Sequence, residues 1–256
     1  MSSDDAKASL SSGIASQNTL LCRNCIDAAL SETVELGIAR EFFRHLCSEL
    51  ESVPVESNNF VISVASDAVE RIRSSFRAAY LDVADFSLRN ILWSALSGEG
   101  EYERAATSLS TSRALREEAG GSSVADELRA HAFVCIAQSY LHLGDEVSAD
   151  SNIRRAGDII ESETTAVSWK VQLMYKTCVA RILDSKRRFF EAAVRYAELS
   201  RLSEDQIDEM ELIAMLEKAV DCILLAPINA SRQRVMGSLM RDSRIARIKV
   251  RHMAAS

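Results

Sequence analysis

Cys22 and Cys25 form a C-x-x-C, the spacing that serves either a zinc ion or thiol–disulfide exchange. Zinc needs four tetrahedral ligands, and neither a second pair nor suitably spaced histidines follow. A redox pair would sit beside a βαβ unit, which the surrounding pattern does not contain. On consecutive turns of a first helix the two read instead as small buried side chains, as free cysteine usually is. Cys47, Cys135, Cys178 and Cys222 fall on apolar helical faces and read the same way. His131 and His142 are eleven residues apart, three helical turns, so they share a face but not an ion. The adjacent carboxylates Glu117-Glu118 and Asp208-Glu209 diverge by about 100° on a helix and do not make an acid–base pair. No phosphate-cradling glycine loop, nucleophile elbow or H-E-x-x-H occurs. No catalytic, cofactor-binding or metal-binding residue is therefore expected, nor any small-molecule substrate, and the chain is not expected to be an enzyme.

Two basic clusters remain. Lys186-Arg187-Arg188 falls at a predicted hairpin turn, where solvation and complementarity to a helix C-terminus explain it more simply than an import signal or an anionic partner. Arg241, Arg244, Arg247, Lys249 and Arg251 recur every two to three residues and read as a frayed tail. A formal charge of −7 argues against a nucleic-acid partner, since phosphate binding needs clustered excess cation. No run of 18 or more apolar residues is present, so no membrane span is expected. Met1-Ser2-Ser3-Asp4-Asp5 lacks the basic start and apolar run of a secretory signal, and a cytoplasmic and nuclear location is expected.

The elements that must carry these residues are helices. Hydrophobic residues make up 47% of 256, while only 9 Gly and 2 Pro punctuate the chain. Helices are predicted from Asn18 to Leu30, from Ser31 to before Pro54, from Ser57 through Ile72, and through Tyr80 to Gly98. The next runs from Tyr102 to Ala119, and Asp126 opens a long one with Leu128, Ala132, Ile136, Tyr140 and Leu143 facing inward. Val147, Ile153 and Ile159 line its return. Trp169 to Leu183 ascends, Phe190 to Leu199 descends, and Glu204-Asp205-Gln206 starts a helix that Pro227 ends. A shared register ties three hairpins together. Trp93, Leu96, Ala105 and Ser112 recur as Ala137, Tyr140, Ala149 and Ala156, then as Ala180, Leu183, Ala192 and Leu199, each at offsets 0, 3, 12 and 19. Small residues where antiparallel helices cross let backbones approach to roughly 8–10 Å. A hairpin that cannot bury its face alone must stack on its neighbours, so the expected fold is an all-α solenoid of helical hairpins, TPR- or HEAT-like. Such a solenoid presents an extended surface to another protein.

The blocks 175–184, Arg188-Phe189-Phe190-Glu191-Ala192-Ala193 and Arg195-Tyr196-Ala197-Glu198-Leu199-Ser200 resemble subunit 4 of the constitutive photomorphogenesis 9 signalosome, a PCI-domain family. The upstream run Ala149 to Ala156 resembles the same family, and so do Lys218 to Ala226, Ser231-Arg232-Gln233-Arg234 and Arg241-Asp242 downstream, all in the correct order. Good similarity covers about residues 85–247, and the first 80 match in helical character. The resemblance implies a right-handed superhelix over residues 17–200, after a mobile N-terminus at 1–16, leading into the first helices of a PCI subdomain at 201–247 and a tail at 248–256. Ile248 to Met253 departs from the family's continuation, so the expected form is C-terminally truncated and lacks the winged helix. The implied role is a non-catalytic scaffold of the complex that deneddylates cullin-RING ubiquitin ligases, with other signalosome subunits and cullin-RING ligases as partners. In that family hydrolysis belongs to a different, zinc-dependent subunit. The alternatives are a proteasome-lid scaffold of the same architecture, or a free-standing helical-repeat adaptor.

Overall fold

The computed structural model describes residues 3–116, 126–162, 167–202 and 207–245. Among these, every regular element is helical: α1 (Ser3–Ala15), α2 (Thr19–Leu30), α3 (Leu36–Glu51), α4 (Asn58–Ser74), α5 (Asp82–Gly98), α6 (Tyr102–Ser110), α7 (Arg113–Arg116) and α8 (Asp126–His142). These are followed by α9 (Glu146–Ile160), α10 (Trp169–Ser185), α11 (Phe189–Leu199), α12 (Glu209–Leu225) and α13 (Ala230–Met240). The chain divides into two compact units, residues 1–143 and 144–256. In the first, α1 packs on α2 and α3, α2 on α4, α3 on α5, and α6 on both α5 and α8. Packing on the next helix and the next but one is the signature of stacked hairpins, as the sequence register requires. In the second, α9 lies on α10, α10 on α11, and α11 on α12 and α13.

One joint recurs along the chain. Seven residues after Trp93, Ala137 and Ala180 stand Gly100, Gly144 and Arg187, all left-handed at φ 79°, 76° and 58°. Gln17, at φ 51°, is the fourth left-handed residue among those described. Seven residues before it stands Leu10, and Leu10, Gly13, Cys22 and Ala29 reproduce the offsets 0, 3, 12 and 19. After three of these residues the next N–H reaches back five positions: Asn18 to the Gly13 carbonyl at 2.8 Å, Glu101 to Leu96 and Arg188 to Leu183 at 2.9 Å. This is the Schellman closure of a helix C-terminus. The following residue caps the next helix, its carbonyl accepting from Cys22, Ala105, Ala149 or Ala192 at 3.0–3.1 Å. The small residue thus sits in the first turn beyond each joint, and all four are fully buried. A Cβ added to Gly13 would come within 3.1 Å of the Cys22 Sγ, which accounts for glycine there.

The structure corrects several expectations. Residues 3–15 are not a mobile terminus but α1, because Leu10 and Ile14 are buried against α2 and α3. Ser31 ends α2 instead of starting α3, which begins five residues later with Glu35 at its N-cap. Tyr80 lies in a 3-10 turn at Ala78–Tyr80 and is exposed. The helix expected to reach Ala119 breaks after Ser110, and the part beyond Arg116, with Gly120-Gly121, lies outside the described residues. The break has a tertiary cause. The buried Arg89 guanidinium donates to the Ser108 carbonyl at 2.6 Å and to Thr111 Oγ1 at 2.8 Å. Ser112, which would otherwise use that carbonyl, bonds Leu109 instead. Leu128 near the start of α8 and Leu143 just past its end are exposed, while its middle, from Ala132 to Ala137, is buried on every side. Val147 is 79% exposed, so the return helix is lined by Ala149, Ile153 and Ala156. Glu204-Asp205-Gln206 lies outside the described residues; α12 starts at Glu209, capped by the Asp208 carboxylate on the Met210 N–H. Ala226 is extended before Pro227, and the Arg232 guanidinium covers the freed Ile223 and Leu224 carbonyls.

Candidate interaction surface

The six cysteines are free and buried, Cys22 and Cys25 on consecutive turns of α2. Burial pushes Cys22 up to about 11, helped by Cys25 beside it. Burial likewise raises Cys47 to about 12, with Glu51 adding to it, and Cys178 and Cys222 to about 12. Thiols held protonated this firmly are poor nucleophiles and poor metal ligands at neutral pH. His131 lies 3.6 Å from the Cys135 Sγ one turn along α8, and His142 stacks on Tyr102 at 4.3 Å between ring centroids. Among the described residues no group of three or more His, Cys, Asp and Glu is placed to hold a metal ion. No described helix is long and apolar enough to cross a membrane. Asp208 serves as a helix cap, and Glu117-Glu118 lies outside the described residues.

The basic clusters are largely tied down. Lys186 Nζ lies 2.9 Å from Asp150, which Arg154 also meets at 2.7 Å, and Arg188, at the N-cap of α11, pairs with Glu191 in its first turn. Arg187 between them is exposed. In the C-terminal run, Arg244 is held and not frayed: it bonds Asp242 at 2.7 Å and the Ser200 carbonyl at 2.8 Å. Arg247, Lys249 and Arg251 lie outside the described residues.

What the fold does present is surface. In the first unit a groove of about 580 Å³ lies beside Asp82, Asp85, Arg89 and Arg113. A second of about 390 Å³ shares Arg73, Arg89 and Thr111 with it and continues between α4, α5 and α6. Both are lined by carboxylates and guanidiniums, and the most buried of these, Asp85 and Arg89, are bonded to each other at 2.7 Å. Phe76 and Tyr80 stand exposed on the α4–α5 connection, with the Arg77 guanidinium 5.1 Å from the Phe76 ring centre. In the second unit Leu224 and Leu225 at the end of α12, and Ile228 just beyond it, are exposed. Sequence patterning does not separate these residues from the core, because only burial distinguishes an apolar side chain that packs from one left open.

A family model described as PSMD12/CSN4, N-terminal, matches residues 3–209. Proteins named COP9 signalosome complex subunit 4 are similar to the chain in several organisms. The Arabidopsis thaliana protein is 30% identical over 95% of this chain and 60% of its own length. The Drosophila melanogaster protein is 31% identical over 86% of this chain and 51% of its own, and the Emericella nidulans protein 27% over 88% and 52%. The chain thus spans half to three-fifths of the length of these relatives, and the family match extends through the first 80 residues, for which the sequence blocks gave helical likeness alone. With stacked hairpins, small-residue joints and a family match covering most of its length, the chain belongs to the PSMD12/CSN4 N-terminal family.

Proposed function

We propose that this chain is a non-catalytic scaffold segment of the signalosome, a helical arm that holds other subunits and faces cullin-RING ligases during their deneddylation. The observation that carries this is the family match over residues 3–209 together with relatives named signalosome subunit 4. The fold supports it physically, because stacked hairpins present an extended surface to partner chains. On this reading α12 and α13, within residues 201–247, begin a PCI helical subdomain, and the chain works in the cytoplasm and nucleus. Affinity purification of the tagged chain tests it. Recovery of signalosome subunits and cullins is the expected result. Recovery of proteasomal ATPases, or of a monomer that binds only short helical peptides, would overturn it. So would hydrolysis of a neddylated cullin by the purified chain alone.

A further inference from the structure

We infer that Arg187 contacts a carboxylate on a neighbouring subunit, with Val147 as its apolar companion; this rests on the assembly reading above. Four joints in the described residues carry a left-handed residue. Two use glycine, Gly100 and Gly144, for which that conformation is free of strain. The other two use side chains that clash with their own backbone there. Gln17 recovers its strain inside the chain, since its amide donates to the Ser57 Oγ at 2.8 Å. Arg187 does not: its N–H closes the turn on the Asp184 carbonyl, while its guanidinium has no partner among the described residues. A strained backbone kept without internal compensation points to a use outside the chain.

The surroundings define the partner. Lys186 and Arg188 on either side are neutralised by Asp150 and Glu191, leaving Arg187 as the unpaired cation of the joint. Ser185 bonds Glu146, which brings the start of α9 against this turn, and Val147, the next residue along α9, is 79% exposed. An arginine next to an exposed aliphatic side chain is the composition of an interface anchor. Glu146, Asp150, Asp184 and Glu191 crowd the same joint, so an extended polyanion such as nucleic acid would be repelled. A single Asp or Glu on a protein surface would reach Arg187 without approaching them.

The test compares Arg187→Gly, Arg187→Gln and Val147→Ser with the natural chain for thermal stability and for affinity to the purified remaining signalosome subunits. Arg187→Gly is expected to raise Tm by roughly 2–4 °C while weakening capture about ten-fold. Arg187→Gln is expected to leave Tm unchanged and weaken capture equally, and Val147→Ser to weaken it by less. Equal capture by all three variants overturns this inference and leaves the assembly reading standing. A natural chain that captures no subunit overturns both. Binding of a random-sequence DNA duplex that Arg187→Gly abolishes would overturn the choice of partner.

Discussion

Gly157 is an interior glycine of α9 that exists to admit a ring. A Cβ built there would lie 2.8 Å from the Tyr175 Oη, about 0.6 Å inside the 3.4 Å of ordinary contact, and 3.5 Å from Cζ. Two effects therefore oppose each other on Gly157→Ala. Alanine in a helix interior is favoured over glycine by about 1 kcal/mol. Displacing a half-buried phenol from a packed seam costs about 1–3 kcal/mol, because the ring cannot bend away as a flexible chain would. The net expectation is a loss of about 0–2 kcal/mol. Removing the hydroxyl resolves the conflict, since the nearest remaining atoms, Cζ at 3.5 Å and Cε2 at 3.6 Å, are at ordinary distance. In a Tyr175→Phe background Gly157→Ala should stabilise by about 1 kcal/mol, moving the urea midpoint up by roughly 0.3–1 M. The cycle then gives a coupling of about 1–3 kcal/mol, measurable by urea unfolding followed at 222 nm. A coupling within about 0.3 kcal/mol of zero would refute the claim that this contact dictates the glycine.

Three further outcomes are expected. Ala149→Leu and Ala192→Leu overpack the first turn beyond a joint and should each lower stability by about 1–3 kcal/mol, whereas unchanged melting for both would mean the joints do not set the packing. Asp85→Ala leaves the buried Arg89 without its carboxylate and should cost about 3 kcal/mol in chemical unfolding, with Asp85→Asn costing less. The Arg244 guanidinium bonded to Asp242 holds that carboxyl below the usual value, against the opposing effect of burial. The unfolded chain therefore takes up the proton first, and this contribution is present above the ordinary carboxylate range and lost as pH falls through the lower folded value. Urea midpoints measured down to about pH 3 should fall less steeply for Arg244→Met than for the natural chain; identical slopes would remove Arg244 as the cause.

Helical class and hairpin register were legible because period and spacing carry them. The joint beginning at Leu10 was not, since Gly13 and Cys22 replace the residues that mark the other three and a Ser-rich stretch masks the period. Recognising Cys22 as the equivalent of Ala105 required the turn geometry at Gln17. The exposure of Val147 and of Leu224, Leu225 and Ile228 was hidden for another reason: an apolar residue in register looks the same whether or not a neighbour covers it. The role of Arg187 lay deeper still, in a backbone angle that a basic tripeptide does not announce.

The Arg89 bond to the Ser108 carbonyl has a consequence for modularity. The stop signal for α6 is written on α5, so the pair would carry its own full stop if grafted into another repeat array, whereas α6 transplanted by itself would lose the instruction and run on. Helix length at this position is thus set in part by a partner helix.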